Sequence, residues 1–485
     1  VNLNVKINLS GFCFFISNII FQILNIRYLP FLVLTWSIPY SAFAQPDTLW
    51  TKTFGGSVWD EGRSVRQTDD GGFIVTCCGS SFGAGERDVY LIKTDENGDT
   101  LWFRTFGGSY DDRGYCVRQT SEGGYIIAGF SESTGMGEDD IILIKTDESG
   151  GELWNSNYGL LYEDQGEYVE QTNDGGYIVT GSAYIDVYYS YDIVLLKTDA
   201  QGNTEWGHLI GGYYGDHAYC VQQTDDGGYI LIGNCGSPGV NDYNVYVIKT
   251  DALGNEEWSR EYGDVAHDYG NCIRQTADGG YIITGHLQNP ATGNYNACLI
   301  KISAGGDSIW SHTYGGDGYD EGVSVWQTGD GGYIFCGRTE SFGAGAADVY
   351  VVKTDSLGNE LWRQTFGGAG DDRSYDMCLT SDGGYVITGL TTSYGAGNQD
   401  IWLIRLDSEP PPMITDLIIS IEFTNIILNW SENPAAVSYN IYRSDTPYFD
   451  ITGMTPVATV TESLYIDQNA VLQAGYFYKV TCVTP

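Results

Sequence analysis

Along most of the chain short apolar runs alternate with polar turns, and the alternation returns at a fixed step of 52 residues. Four runs stand out in the first copy: Leu49–Phe54, Arg63–Thr68, Phe73–Cys77 and Val89–Thr94. Each mixes aromatic and β-branched residues with polar ones and stops at a turn signal, which predicts a strand. Two connections are short and rich in Asp, Asn and Gly, Asp69–Gly72 and Asp95–Asp99. These predict hairpin turns, where Gly and Asn supply positive φ at little steric cost. The other two, Gly55–Gly62 and Gly79–Asp88, are longer. Because successive antiparallel strands alternate in direction, both long loops are predicted on one face, where a ligand would be met.

Three markers keep this register without an insertion or deletion. Gly-Gly before an aromatic residue begins at Gly71, Gly123, Gly175, Gly227, Gly279, Gly331 and Gly383. Trp50, Trp102, Trp154, Trp206, Trp258, Trp310 and Trp362 form the second series, and Lys93, Lys145, Lys197, Lys249, Lys301, Lys353 and Arg405 the third. Four strands per unit at this period predict one propeller blade per repeat, and seven equal units predict a closed ring in which each blade buries its faces against two neighbours. The strand holding Trp50 follows no earlier strand, whereas each later copy follows a Lys-Thr-Asp strand across a tight turn. The last such strand, Ile401–Asp407, has no successor. Leu49–Phe54 is therefore expected to complete the seventh blade as its outer strand, pinning the ends of the ring together.

Outside 45–408 the pattern changes. Residues 1–44 hold long apolar runs, Lys6 and Arg27 as their basic residues and no acidic one, and Ala42-Phe43-Ala44 offers a small-x-small cleavage site. They read as a cleaved targeting segment, with a retained membrane anchor as the rival reading. Residues 409–413 begin Glu409-Pro410-Pro411-Pro412 and read as a stiff linker. From 414 to 485 alternation resumes at Leu417–Glu422, Ile426–Trp430, Tyr439–Arg443 and Tyr476–Val480. This is expected to be a small sandwich lacking its last strand.

Composition sharpens the picture in two ways. The 65 Gly and 37 Tyr suit an all-β protein with many tight connections. The formal net charge is −40, and about −42 without the leader. That surface repels nucleic acid and anionic lipid, leaving basic proteins, neutral glycans and cations as partners. Of the 11 cysteines, Cys116, Cys220 and Cys272 share a repeat position with Ser64, Tyr168, Ser324 and Asp376, which reads as a small buried filler rather than a disulfide framework. Adjacent Cys77 and Cys78 admit a strained vicinal disulfide only at an unfavourable geometry. No Cys/His spacing resembles a zinc site.

The order Gly-Gly-aromatic, aliphatic strand, Gly turn, Trp resembles kelch-type and quinoprotein-type propellers. Asp-Gly-Gly-Tyr-Ile-Ile-Thr-Gly with Leu-Ile-Lys-Thr-Asp and a Gly-Asn turn into Trp is similar to the repeats of secreted bacterial propeller proteins followed by fibronectin-like modules. The tail likewise resembles a fibronectin type III domain, with Trp430 in the place of its buried Trp and Leu472, Gly475 and Tyr478 at the spacing of a tyrosine corner, whose hydroxyl ties back to upstream backbone. These resemblances imply a seven-bladed β-propeller of four-stranded antiparallel blades with a fibronectin-like sandwich after it. They imply almost nothing about activity.

Repeats also separate scaffold from site, since a position identical in every blade serves the blade. Asp60, Asp112, Asp164, Asp216, Asp268, Asp320 and Asp372 read as loop caps, the Trp series as blade-to-blade packing and the Lys series as a repeated ion pair with the Asp70-type turn. A calcium ion held by the Asp ring is a weaker alternative, because seven spread carboxylates do not converge; no metal or other cofactor is otherwise expected. Variation begins one residue on, at Glu61, Arg113, Gln165, His217, Tyr269, Glu321 and Arg373, and continues in the second long loop at Tyr188, Tyr189 and Tyr243. Mixed charge with Tyr around a central depression suits a glycan or protein ligand. The expected function is a secreted or surface-displayed, non-catalytic binding or adhesion protein. A carbohydrate-active or quinone-dependent enzyme, or a structural envelope component, are the alternatives.

Overall fold

The computed structural model describes residues 45–408 apart from 136–137, 160–161, 187–189, 237–242 and 264–266, and beyond them 418–422, 425–430, 438–444, 454–468 and 477–483. The leader, the linker, Leu472 and Gly475 lie outside these residues. Gln45–Ser408 forms one compact unit and the strands after Glu409 belong to another.

The first unit is a propeller of seven four-stranded antiparallel sheets. Blade 1 runs outward from the axis as Asp60–Gln67, Phe73–Gly79, Asp88–Thr94 and Thr100–Phe106. Its two middle strands are buried along their whole length, because both faces of the sheet are covered by neighbouring blades. The opening strand, Thr48–Phe54, pairs antiparallel with Asp400–Leu406 as the outer strand of blade 7, setting Trp50 opposite Arg405 and Phe54 opposite Ile401. One blade therefore takes strands from both ends of the repeat array, as the strand order implies.

The inner strands start earlier than the sequence pattern suggests. Their ladder opens at the Asp position, Asp60 in blade 1, and not at Arg63. A bulge explains the difference: Gly62 faces Cys77 and Ser64 faces Thr76, so Arg63 has no residue opposite it. The same skip falls at Tyr115, Glu167, Tyr219, Asn271, Val323 and Tyr375 in the other blades. A bulge breaks the period of two and re-aims one side chain, so an alternation test loses the strand on its far side.

Repeated contacts hold each blade and each seam. At the first hairpin Gly71 adopts φ +84°, and a Cβ on Gly72 would lie 2.2 Å from the Thr94 carbonyl oxygen, which is why both positions are Gly. Lys93 reaches the Asp70 carboxylate at 2.9 Å, and equivalent pairs join Lys197 to Asp174, Lys249 to Asp226, Lys301 to Asp278, Lys353 to Asp330 and Arg405 to Asp382. In blade 2, where Glu122 takes the Asp place, Lys145 donates instead to Thr120 Oγ1 and the Thr146 carbonyl, both at 3.0 Å. Across the seams Trp50 meets Phe73 with ring centroids 5.8 Å apart, and Trp102 meets Tyr125 at 5.9 Å. Trp154, Trp206, Trp258 and Trp310 meet Tyr177, Tyr229, Tyr281 and Tyr333 in the same way, and Trp362 is buried.

One further seam contact was not legible beforehand. The last residue of an inner strand is Gln, and its Oε1 accepts from a turn amide of the preceding blade: Gln119 from Asp69 N at 3.0 Å, Gln171 from Ser121 N at 2.8 Å, Gln223 from Asn173 N at 2.9 Å. Gln275 and Gln327 repeat it, and Gln67 accepts from Ser381 N at 2.7 Å, across the closure from blade 7 to blade 1. In blade 7 the position is Leu379, so the seam between blades 6 and 7 is without this bond.

In the second unit, Ile418–Glu422, Asn425–Asn429 and Leu464–Asp467 form one three-stranded sheet, and Ala458–Val460, Ser438–Ser444 and Phe477–Val483 form another. Trp430 is buried against Tyr439, 5.2 Å between ring centroids, in a cluster with Leu428, Ile441 and Val480. The Tyr478 hydroxyl donates to Asp467 Oδ2 at 2.6 Å, and Arg443 shares that oxygen at 2.8 Å. A carboxylate drawn in by Arg443 thus takes the place of the backbone partner that a tyrosine corner requires.

The Gln contact yields a paired expectation. Gln223→Ala leaves the Asn173 amide without its acceptor and costs about 1 kcal/mol, whereas Leu379→Gln supplies an acceptor to blade 6 and gains up to ~1 kcal/mol. Urea unfolding midpoints check both signs.

Candidate binding face and axial channel

The Asp series opens each inner strand and ties the long loops together. Asp60 accepts from Gly56 N at 2.9 Å in one loop and from Ser81 Oγ at 2.5 Å in the other. Asp112, Asp320 and Asp372 repeat the arrangement through Gly108 with Ser133, Gly316 with Ser341, and Gly368 with Ser393. Asp216 accepts from Gly212 N and Asp268 from Gln288 N, and Asp164 is buried with them. All seven are 7% exposed or less. A carboxylate bound to loop amides fixes both loops against the strand end, and burial pushes the Asp216 carboxyl up to about 6.

The seven variable residues one step on form a ring whose members differ in environment. Glu61 is 2% exposed and ion-paired to Arg63. Arg113 and Arg373 turn back onto Asp111 and Asp371, at 2.7 and 2.5 Å, and Gln165 donates to Asp139 at 2.8 Å. His217 lies against Tyr191, centroids 5.1 Å apart, Tyr269 stacks on His286 at 4.7 Å, and Glu321 accepts from Asn271 at 2.9 Å. Tyr243 packs on Tyr269 at 5.7 Å, while Tyr188 and Tyr189 lie outside the described residues. The face is therefore divided. Blades 3 to 6 carry two runs of Tyr and His in ring contact, one from Tyr184 and Tyr191 to His217 and Tyr219, the other from Tyr243 through Tyr269 and His286 to Tyr295 and Tyr319. Blades 7, 1 and 2 carry Arg–Asp pairs, with Arg87 bridging to Asp111 at 2.8 Å and lying over Trp59. Burial pushes the His217 and His286 imidazoles below their ordinary range, so both rings are neutral at neutral pH.

Below the rim, the bulges line an axial cavity of ≈ 350 Å³. Arg63, Tyr115, Glu167, Tyr219, Asn271, Val323 and Tyr375 all face it, one from each blade. Arg63 lies between Tyr375 and Tyr115, its guanidinium carbon 4.4 and 5.1 Å from the ring centroids. The next residue in each blade, the Cys/Ser position, narrows the channel: Cys220 and Cys272 come within 3.8 Å, Ser64 and Ser324 donate to Asp376 at 2.8 and 3.1 Å, and Tyr168 lines it with them. The cysteines of this series are free and buried in their strands, as expected of small fillers, and the series also walls the channel. The available signal was that a residue varying from Arg to Glu to Val sits beside one kept small in most blades. Burial pushes the Glu167 carboxyl up to about 7 against the pull of Arg63 and Arg113.

Among the described residues no three His, Cys, Asp or Glu side chains group as metal ligands, and no helix is long and apolar enough to cross a membrane. No family model matches the chain, and no curated protein matches it. Among solved structures it is similar to the WD40 domain of Neurospora crassa Pan2, at 10% identity over 71% of this chain and 89% of that one, TM-score 0.43. It is also similar to Chaetomium thermophilum Sqt1, at 10% identity over 75% of this chain and 98% of that one, TM-score 0.45. The seven-bladed assignment rests on the strand ladders themselves.

Because the Glu167 carboxyl titrates near 7 in the fold and near 4.5 unfolded, folding takes up a proton between those values. Its contribution to stability is complete below about pH 4.5 and is lost as pH rises through 7. Glu167→Gln is therefore expected to stabilise the protein at pH 8.5, by at most ~3 kcal/mol, and to have little effect at pH 4.5. Urea midpoints of the two proteins across that range measure the difference.

Proposed function

We propose that this chain is a secreted or cell-surface, non-catalytic binding protein that holds a partner protein on the long-loop face of its propeller. The observation that carries the reading is where the exposed aromatic residues stand. Tyr110, Tyr162, Tyr213, Tyr214, Phe82 and Tyr394 are 38–76% exposed, and every one is on a long loop of that face. Exposed aromatic side chains gathered on one face beside Arg–Asp pairs are the composition of an interaction surface. Net charge of about −42 on the mature chain favours a partner with basic groups around its contact residues.

A glycan is the second reading, favoured by Tyr213 and Tyr110, which at 76% and 59% exposure present aromatic faces suited to sugar rings. Secretion is supported by the apolar leader with Ala42-Phe43-Ala44 before Gln45. The paired three-stranded sheets around Trp430 support the fibronectin-like reading of the second unit. An adhesion role follows from the two together, since one module displays the other.

The test is a screen of the purified chain on immobilised surface proteins and on a glycan array, with turnover of bound material followed in parallel. Binding without turnover is expected. Tyr110→Ser combined with Tyr213→Ser should weaken it at least tenfold, about 1.4 kcal/mol, while Leu253→Ser with Leu357→Ser, on turns of the opposite face, should leave it unchanged. Loss from the second pair and not the first would contradict the reading.

A further inference from the structure

At the inner end of the axial channel two cations have no carboxylate in ion-pair contact among the described residues. Two residues beyond the Cys/Ser position each inner strand directs a side chain toward the tight-turn end: Arg66, Arg118, Glu170, Gln222, Arg274, Trp326 and Cys378. Arg66 is paired to Asp376 at 2.5 Å. Neither Arg118 nor Arg274 has a carboxylate within 4 Å among the described residues. Arg118 donates to the Val117 carbonyl at 2.6 Å and Ser64 Oγ at 3.3 Å and lies over the Tyr168 ring, 4.4 Å to its centroid. Arg274 donates to the Tyr168 hydroxyl at 2.6 Å and lies over Trp326, 4.7 Å to its centroid. Arg274 is 7% exposed and lines the cavity. Three guanidinium nitrogens, Arg66 Nη2, Arg118 Nη2 and Arg274 Nε, are buried without any hydrogen-bond partner.

The nearby acids are already engaged. Asp376 accepts from Ser64, Arg66, Ser324 and the amides of Val65 and Met377. Glu170 accepts from Gln223 N at 2.9 Å, and Glu321 from Asn271 with His286 and Arg338 beside it. Glu167 belongs to the layer above and is half-protonated near neutral pH. A buried guanidinium without a counter-charge is costly, and a fork of unused N–H donors matches the oxygens of a carboxylate, phosphate or sulfate.

We propose that the floor of the axial channel is a binding site for a small oxyanion, held by Arg274, which lines the cavity of ≈ 350 Å³ through which the site is reached, with Arg118 and Arg66 behind that lining. The site is independent of the partner on the long-loop rim. Its electropositive floor, inside a chain of net charge −40, admits a single anionic group and repels an extended acidic surface.

The test is thermal unfolding of the full chain titrated with sodium phosphate, sulfate, acetate or succinate, ionic strength being held constant with chloride. At least one oxyanion is expected to raise Tm saturably at millimolar concentration or below; a phosphate or sulfate response and a carboxylate response distinguish the two sources of the group. Arg118→Met and Arg274→Met should each abolish the shift, and in chloride alone should unfold no earlier than the parent, because a buried uncompensated charge has been removed. Tyr213→Ser, on the rim, should keep the full shift, so failure of rim binding and failure of this site are told apart. A Tm indifferent to all four anions, or an equal shift in Arg118→Met, would overturn the proposal.

Discussion

Every blade depends on being covered on both sides. The middle strands of blade 1 expose nothing along their length, and no blade could keep that state at the end of an open array. The pairing of Thr48–Phe54 with Asp400–Leu406 removes the ends. It places Trp50, carried by blade 7, against Phe73 of blade 1, the same contact that Trp102 makes with Tyr125 inside the array. The closing seam is thus built from the parts used at the other seams, and Gln67 with Ser381 adds the matching polar tie. Hydrophobic burial supplies the drive to close, and the shared blade supplies the register.

Closure also creates the functional geometry. Seven inner strands meeting at an axis bring seven bulges to one level, and a bulge is the device that turns a ladder residue out of the sheet. Without it Arg63 would pair with a partner on Phe73–Gly79; with it Arg63 stands between two tyrosines of other blades. The Asp that precedes each bulge binds amides of the loops above, so the rim is held by the same strand that lines the channel. Identical scaffolding can then carry unlike side chains. That is how a seven-fold framework acquires an aromatic arc on one side and an ionic arc on the other.

What could be read from the chain follows from this division. The 52-residue step, the order of strands and the orphan strand around Trp50 were enough to derive the ring and its closure, because they depend on spacing alone. The Lys–Asp pairs were readable for the same reason. The channel was not: Arg63, Tyr115 and Glu167 share no chemistry, and the bulge that unites them leaves no periodic mark. The Gln series was equally hidden, since a Gln before Thr at a strand end has no propensity that demands a partner, and its acceptor role appears only when the neighbouring blade is in place. Of the rim candidates, Glu61 and Tyr269 occupy the same repeat position, yet one is sealed in an ion pair and the other stacks in an open aromatic row. Repeat position locates a residue on the face; its neighbours from the next blade decide what it can touch.

Native-state hydrogen exchange tests the closure most directly. If the opening strand belongs to blade 7, the amides of Thr48–Phe54 will exchange together with those of Asp400–Leu406, with the denaturant dependence of global unfolding. Exchange of Thr48–Phe54 by local opening, orders of magnitude faster while the remaining strands stay protected, would show that the ring stands without it and would contradict the account.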